Sequence, residues 1–369
     1  MVITGVGLLS ACGSNEDVHL AALLDEKRPV ADGVSFAPFH LVKAAPFDAE
    51  DFVPGRSDRR QMEPWQLLGV AAAKLALDSA GIPPGDERDS LCLNLAANGG
   101  GREHDMDLAV LDELLVRGDP QAGLVESMSK RIRPSFLLGQ LANLLAGNIA
   151  IVLGVGGGAR TFMGEEHAGV EALEDAVSRI VAGQSDRILV GGVLDADRAE
   201  LMFALATGGL LHAGTMPAVF NPDRNGLCPG SMAAFVLVEA EEVARARAVP
   251  PLARITGIKA AWTGGVDGQD ALRGCISALP HGGDATLILS GASGAQPSTT
   301  EEWAALEGRS KDARILATAD VAGHGLEASF PFAVALAALS IQAGAAERVL
   351  TTTGSDRCGV AAALLEAAP

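Results

Sequence analysis

The chain has 369 residues and a formal net charge of −18, with 48% hydrophobic and 20% charged residues. This balance predicts an ordered protein with a large core, and the negative charge disfavours binding to nucleic acid or to an anionic membrane surface. The five cysteines are widely spaced without a CxxC pair, which predicts neither a metal site nor a disulfide framework and suits a reducing, cytoplasmic location. No apolar run is long enough to predict insertion into a membrane.

Short apolar runs alternate along the chain with Ala- and Leu-rich stretches that have helical periodicity. Helices are predicted between strands near Val2–Gly7, Ser90–Leu95, Arg187–Gly191, Ala233–Val238 and Thr286–Leu289. Such an alternation of strands and helices predicts an α/β fold.

An internal repeat links the beginning and the end of the chain. Ile3-Thr4-Gly5 recurs as Ile255-Thr256-Gly257, and residues 170–192 align without gaps on residues 331–353. Both longer copies have the pattern of an apolar helix, an Ala-Gly stop and a strand, which is typical of a helix that leads into a buried sheet. The chain is therefore predicted to be duplicated.

The join between the two copies is predicted between Asp195 and Ala253. Within that range, Phe220–Gly230 is rich in turn-forming residues and Glu239–Val249 has the pattern of a charged helical connector.

A duplicated α/β chain that opens with VITGVGLLSACG resembles the β-ketoacyl-ACP synthases, the thiolase-fold condensing enzymes of fatty acid and polyketide synthesis. Phe220–Val238 is similar to the family's FDxxRDGFVxGEGA segment, and Gly323-His324 is similar to its TGH turn. The resemblance implies an α/β, thiolase-like five-layered αβαβα fold made of two duplicated halves. Residues 1–219 would form the N-terminal half with the nucleophile position, and residues 220–369 the C-terminal half.

The position that the resemblance assigns to the family's nucleophilic cysteine is occupied by a glutamate. Family members carry the cysteine at the N-terminus of a buried helix, where backbone N–H groups and the helix dipole favour a thiolate. The segment GVGGGARTFMGEEHAG matches the family pattern that ends in TACATG and places Glu166 at the cysteine. Gly169 and Ala182-Gly183 fix the register, and a slip of one residue would place Glu165 or His167 there.

The resemblance implies further losses at the other catalytic positions. The family's AHGTST stretch corresponds to residues 290–295, which leaves Gly291 for the first histidine. The KSMTGH stretch corresponds to residues 319–324, so Ala319 replaces the lysine while His324 remains. The GFGGTN loop places Asp356 at the acyl-gating phenylalanine. Condensing activity by this chain alone is therefore not expected.

Glu166 allows two interpretations at this stage. It could act as an acid, a base or a carboxylate that mimics a bound malonyl group, or it could be an anion at a helix N-terminus that fills an inactive site. His324 is expected to be a hydrogen-bonded structural histidine, and His167 could pair with Glu166.

Basic side chains form two local groups in an otherwise acidic chain, and an acyl carrier protein (ACP) is an acidic helical partner. Family members bind it through basic residues near such segments, although ordinary solvated surface is an equal alternative. The candidate docking residues are Arg56, Arg59, Arg60, Lys130, Arg131 and Arg133.

Loss of the nucleophile with retention of the fold resembles the chain-length-factor subunits, which pair with an active synthase. The leading hypothesis is therefore a non-catalytic partner subunit of an active β-ketoacyl-ACP synthase. This chain would form a heterodimer with that synthase, or a homodimer, and would also bind the acyl carrier protein. One alternative is an active acyltransferase or malonyl-ACP decarboxylase that uses Glu166. A second is an ACP- or lipid-binding homodimer. None of these implies a cofactor or a metal.

Overall fold

Ten strands join into one mixed sheet in the computed structural model, which describes residues 1–102, 104–117, 120–131, 139–263, 267–309, 311–355, 357 and 359–368. The strands are β1 Val2–Leu9, β2 Cys92–Ala96, β3 Ala159–Phe162, β4 Arg187–Leu194, β5 Met232–Glu239, β6 Ala253–Ala261, β7 Leu287–Ser290, β8 Arg314–Ala317, β9 Arg348–Ser355 and β10 Gly359–Glu366. All five strands predicted near apolar runs are present.

Fourteen α-helices lie in the described part of the chain. They are α1 Glu16–Leu24, α2 Arg56–Arg59, α3 Pro64–Ser79, α4 Asp86–Asp89, α5 His104–Arg117, α6 Pro120–Arg131, α7 Leu144–Leu153, α8 Glu165–Val181, α9 Ala199–Thr207, α10 Glu241–Ala246, α11 Gly268–Ser277, α12 Ser298–Leu306, α13 Ala319–Ala322 and α14 Ser329–Gln342. A 3-10 turn, Leu326–Ala328, leads directly into α14.

The two halves of the sheet have equivalent strand orders when each is followed from its outer edge to the centre. It runs β3-β2-β4-β5-β1 and then β6-β10-β9-β7-β8, so each strand of the first half has a counterpart in the second. In both halves the three outer strands are parallel and the two inner strands are antiparallel. A short antiparallel bridge between β1 and β6 joins the halves. The predicted duplication is confirmed.

The repeated Ile-Thr-Gly tripeptide marks the same irregularity in both inner strands. Thr4 interrupts the register of β1 against β5, and Thr256 interrupts that of β6 against β10. An extra residue in one strand is a β-bulge, which bends the strand and increases its twist. The hydroxyl groups of both threonines donate hydrogen bonds, Thr4 to Glu239 at 2.7 Å and Thr256 to the Leu364 carbonyl at 2.9 Å.

Five layers follow from which residues pack together. Helices α8 and α14 lie between the two halves of the sheet, and their apolar faces share one core with both inner sheet faces. The outer face of the first half is covered by α3 and α7, and the outer face of the second half by α11 and α12. The five-layered thiolase-like arrangement is therefore confirmed, although a single continuous sheet connects the two β layers.

The division of the chain at residues 219 and 220 stays a prediction. Strand β5 begins after that point, yet it pairs with β1 and β4 of the first half. We propose that the boundary lies in the connector between β5 and β6, which contains α10 and falls inside the predicted range Asp195–Ala253.

Among the helices that the structure describes, none combines the length and the apolar composition needed to cross a membrane.

Candidate functional site

The start of α8 forms a sharp turn after the edge strand β3. Gly164 has a φ of 138°, a backbone conformation that favours glycine, and Glu165 has a φ of 52°. The turn directs Glu166 into the interior, where its side chain is buried in the first turn of the helix. A side chain at this place faces backbone N–H groups that have no partner within the helix, so a negative charge is favoured there.

Glu166 is paired with His324. The imidazole Nε2 lies 2.7 Å from Oε1 of Glu166, and both side chains are buried. The Ser329 hydroxyl accepts a hydrogen bond from the Gly325 N–H at 2.9 Å and lies 3.4 Å from Nδ1 of His324. A Ser329 hydroxyl that donates to Nδ1 leaves Nε2–H to donate to the carboxylate.

The predicted turn-rich segment Phe220–Gly230 holds the histidine in place. The His324 N–H donates to the Cys228 carbonyl at 2.8 Å, and the Gly230 N–H donates to the His324 carbonyl at 2.9 Å. A Cβ atom at Gly230 would lie 2.0 Å from the Ala322 carbonyl oxygen, so only glycine allows this close approach. The pairing of His324 with Glu166 therefore depends on backbone contacts between distant parts of the chain.

The pKa of Glu166 is lowered although burial alone would raise it. The hydrogen bond from His324 and the positive charge that His324 can carry outweigh the cost of burial, with smaller contributions from the Glu166 backbone N–H and the Ser355 hydroxyl. Oε2 of Glu166 has no hydrogen-bond partner among the described residues. The site therefore holds an ionised carboxylate whose second oxygen is buried.

Two neighbours of Glu166 on α8 have different surroundings. Glu165 forms an ion pair with Arg357 at 3.2 Å, and burial followed by the charge of Glu166 raises the pKa of Glu165. The ring of His167 lies 5.0 Å from that of Trp262, and burial lowers the pKa of His167. The hypothesis that His167 pairs with Glu166 is wrong, because His324 takes that place.

Two further buried glutamates lie near this pair and were not identified from the sequence. Oε1 of Glu302 accepts hydrogen bonds from the Ser290 hydroxyl at 2.5 Å and the Thr352 hydroxyl at 2.6 Å. Burial raises the pKa of Glu302 despite these bonds. Glu327 is fully buried, and within the described chain neither of its carboxyl oxygens has a hydrogen-bond partner.

The surroundings of two other implied catalytic positions, Gly291 and Ala319, can be described from their own contacts. A Cβ atom at Gly291 would lie 2.7 Å from the Thr352 carbonyl oxygen, so a histidine does not fit on this backbone. Ala319 begins α13 and lines a separate cavity of about 220 Å³ together with Arg224. Asp356 lies outside the described residues. The assignment of Gly291 to the position of the family's first histidine stays a prediction.

The candidate docking residues are partly exposed. Arg56 and Arg60 are exposed, whereas Arg59 donates to the Val53 carbonyl at 2.6 Å and forms an ion pair with Glu50.

The second group of docking candidates lies at the end of α6. Lys130 pairs with Glu126 on its own helix, and Arg131 lies 3.5 Å from Glu113. Arg133 is outside the described residues. Both groups stay predictions.

The described cysteines do not supply an alternative nucleophile beside His324. Cys228 is the nearest of them along this hydrogen-bond network, and burial raises the pKa of its thiol to about 11. Burial also raises the pKa of Cys12 and of Cys275. These thiols stay protonated near neutral pH, whereas a thiolate is the reactive form. Cys358 is not among the described residues.

Comparisons with known proteins agree with this architecture. The family model described as "Beta-ketoacyl synthase, N-terminal domain" matches residues 2–244. The chain is 26% identical over 275 residues to 3-oxoacyl-[acyl-carrier-protein] synthase 2 of Rhizobium meliloti (strain 1021), a match that covers 70% of this chain and 63% of that protein. The chain thus spans less than two thirds of the length of this curated relative.

Two solved structures share the fold over the whole chain. One is described as the ishigamide ketosynthase/chain length factor, with a TM-score of 0.81, 20% identity and coverage of 100% of this chain and 99% of the other. The second is a type II polyketide synthase acyl-carrier protein in complex with its ketosynthase bound to the hexaketide, with a TM-score of 0.77, 16% identity and the same coverage.

Proposed function

Since the chain belongs to the β-ketoacyl synthase family, we propose that it is a non-condensing member that serves as a chain-length-factor-like partner of an active synthase. Its place would be in fatty acid or polyketide-type acyl chain elongation. The observation that supports the proposal is the buried carboxylate of Glu166, which is paired with His324 at the position that the sequence resemblance assigns to the nucleophile.

A carboxylate at this point is unsuited to condensation. Acyl transfer to a synthase requires a nucleophile that forms a thioester, and a lowered pKa does not give a carboxylate that property. The ionised Glu166 would also repel the carboxylate of an incoming malonyl group. His324, which could otherwise assist such chemistry, is occupied by Glu166.

Strand β3 offers a surface for a partner close to this site. It is the edge of the sheet, and Ala159 and Arg160 on it are exposed. Ile151 on α7 and Met163 after β3 are apolar and 78% and 61% exposed. An unprotected edge strand is suited to pairing with another chain. Because β3 ends four residues before Glu166, a partner bound here would lie close to the start of α8.

The kinds of partner follow from the structural neighbours. One of them is a ketosynthase/chain length factor, and another is an acyl-carrier protein in complex with its ketosynthase. By analogy, we propose an active synthase subunit on the β3 edge and an acyl carrier protein as the donor of acyl groups.

Co-expression with an active, cysteine-containing β-ketoacyl-ACP synthase from the same genome tests the proposal. We expect the two subunits to co-purify at equal stoichiometry, and Ile151→Asp to reduce recovery of the complex at least tenfold. Val181→Asp is the matched control, because Val181 is 70% exposed at the other end of α8. Self-association of the chain without the synthase would instead favour an ACP- or lipid-binding homodimer.

A further inference from the structure

A cavity of about 220 Å³ brings two arginines together outside the site of Glu166. Arg28 follows α1, and Arg224 belongs to the turn-rich segment Phe220–Gly230. Asp320 of α13 is the third charged residue that lines the cavity, whereas Glu166 and His324 do not line it. The cavity is therefore separate from the pair that Glu166 forms with His324.

The guanidinium group of Arg224 is buried among uncharged partners. Arg224 is 4% exposed, its Nε donates to the Gly226 carbonyl at 2.6 Å, and its Nη1 donates to the Pro217 carbonyl at 2.9 Å. Within the described residues, Nη2 has no hydrogen-bond partner and no carboxylate forms an ion pair with Arg224. A buried charge is costly unless it is paired and fully hydrogen-bonded. Arg224 is therefore a buried cation with a donor left for an anion.

Arg28 is held beside Arg224 by the same stretch of backbone. Its Nη1 donates to the carbonyl of Met216 at 2.9 Å, and the next carbonyl along the chain, that of Pro217, binds Arg224. Consecutive residues lie about 3.8 Å apart, so the two guanidinium groups are close neighbours. Burial is the largest cause of the lowered pKa of Arg224, and the positive charge of Arg28 adds to it. An anion between the two groups would relieve this repulsion.

Asp320 offsets only part of this positive charge. Both of its carboxyl oxygens accept from the Val219 N–H at 3.2 Å, and burial raises the pKa of Asp320. With Asp320 and both arginines ionised, the cavity has one net positive charge in a chain whose formal net charge is −18. A single positive charge favours a monovalent anion over a divalent one.

Much of the remaining wall of the cavity is apolar. Val42, Pro217 and Ala319 line it together with the charged groups. An apolar cavity of about 150 Å³ is large enough for benzene, so this cavity has room for a hydrocarbon tail of about six carbons. Apolar walls stabilise such a tail and give nothing to a small hydrated ion. The lining therefore indicates a ligand with one charged end and one apolar end.

The position of Arg224 is fixed before any ligand binds. Gly294 has a φ of 95°, and a Cβ atom there would lie 2.7 Å from Nε of Arg224, so glycine allows the guanidinium to lie against this backbone. Two carbonyl groups already hold Nε and Nη1. A donor that is ordered in the free protein loses little conformational entropy when it binds a ligand.

We propose that this cavity is a binding site for a small monocarboxylate, with the carboxylate between Arg224 and Arg28 and the hydrocarbon tail against Val42, Pro217 and Ala319. Arg224 would donate from Nη2, and Arg28 from the N–H groups that Met216 does not use. Charge-assisted hydrogen bonds from guanidinium to carboxylate are among the strongest in proteins. The site goes beyond the proposed function and does not depend on it, because neither a synthase nor an acyl carrier protein takes part.

Calorimetric titration of the purified chain with three probes tests the chemical class. We expect hexanoate to bind in a saturable manner and about tenfold more tightly than hexanamide, which has the same tail without the charge. Inorganic phosphate should bind at least about tenfold more weakly than hexanoate, because it has no tail to bury. Absence of saturable hexanoate binding would overturn the proposal, and so would equal affinity for either of the other two probes.

Two substitutions of opposite charge test the location. Arg28→Gln should weaken hexanoate binding about tenfold, and Asp320→Asn should strengthen it about threefold by removing a repulsive charge. Lys27→Gln is the matched control, because Lys27 is the exposed neighbour of Arg28 and does not line the cavity. We expect it to change the affinity by less than about twofold. Equal effects of Arg28→Gln and Lys27→Gln would show that hexanoate binds elsewhere.

A third substitution, Ala319→Leu, tests the place of the tail without changing the charge. The larger side chain would occupy part of the cavity and should weaken hexanoate binding about tenfold. Thermal unfolding shows whether this variant is folded, and unchanged affinity in the folded variant would overturn the proposed placement. Arg224 is not substituted, because its guanidinium also holds the Gly226 and Pro217 carbonyls. If Ala319→Leu does not fold, Arg28→Gln and its control decide the question.

Discussion

Two buried glutamates near His324 respond to burial in opposite ways. Glu166 accepts a hydrogen bond from an imidazole at 2.7 Å, its own backbone N–H and the Ser355 hydroxyl contribute less, and its pKa is lowered although burial would raise it. Glu302 accepts two shorter bonds, from the hydroxyl groups of Ser290 and Thr352, and its pKa is raised. The imidazole partner therefore distinguishes the carboxyl group whose pKa is lowered from the one that has only hydroxyl and backbone partners.

The prediction with the largest expected effect removes the imidazole of His324. We expect His324→Ala to lower the free energy of unfolding by about 3 kcal/mol at pH 7, because Glu166 would be left as a buried charge without compensation. Denaturant unfolding measures this loss of free energy, provided that the dependence of the unfolding free energy on denaturant concentration is the same in both proteins.

A double-mutant cycle provides the control for this loss. In the Glu166→Gln background, removal of the His324 side chain should cost at least about 1 kcal/mol less, since no buried charge remains. Equal losses in both backgrounds would mean that His324 contributes through packing alone.

The second prediction concerns acid. The pKa of Glu166 is below its ordinary value of 4.5 in the folded chain, so its contribution is present above pH 4.5 and is lost as the pH falls through the lowered pKa. We expect the stability difference between wild type and Glu166→Gln to shrink when the pH is lowered from 6 to 3. A difference that grows on acidification would contradict the assignment of charge.

The contribution of Glu302 to stability should change with pH in the opposite direction and by a smaller amount. Its pKa is raised by burial, so its contribution falls as the pH rises above 4.5. Glu302→Gln keeps an oxygen that can accept from Ser290 and Thr352, and we expect a gain of up to about 1 kcal/mol at pH 8. A loss of several kcal/mol in thermal or denaturant unfolding would show that Glu302 is needed as an anion.

The smallest change in stability is expected at a third glutamate, Glu165, which is partly exposed. Glu165 pairs with Arg357, whose side chain is 44% exposed. Solvent screens such a pair, so Arg357→Ala should change the free energy of unfolding by less than about 0.5 kcal/mol. A change above 2 kcal/mol would mean that this ion pair belongs to the buried network around Glu166.

Much of the fold could be predicted because apolar patterns determine it. The repeat of Ile3-Thr4-Gly5 at residues 255–257 predicted two equivalent strands, and both contain the same bulge. Strand β3 was missed since its four residues, Ala159–Phe162, include two exposed positions at the sheet edge and lack an apolar run. Sequence patterns of burial do not reveal a short strand at the edge of a sheet.

The site was predicted less completely because its contacts join distant segments. Glu166 was found from its place in a motif, but its pairing with His324 across 158 residues requires the tertiary structure. Glu327 had a sequence signal, since the repeat extended by four residues aligns it with Glu166. The assignment of Gly291 to the position of the family's first histidine stays a prediction, and a side chain added there would lie too close to the Thr352 carbonyl.

Intact-protein mass spectrometry after incubation with acyl-ACP and malonyl-ACP tests the central claim most directly. The purified chain should gain no acyl mass and release no carbon dioxide, while an active cysteine-containing synthase treated in parallel becomes acylated. A stable acyl adduct on any residue of this chain, or decarboxylation that Glu166→Ala abolishes, would contradict the account and establish an enzyme at this site.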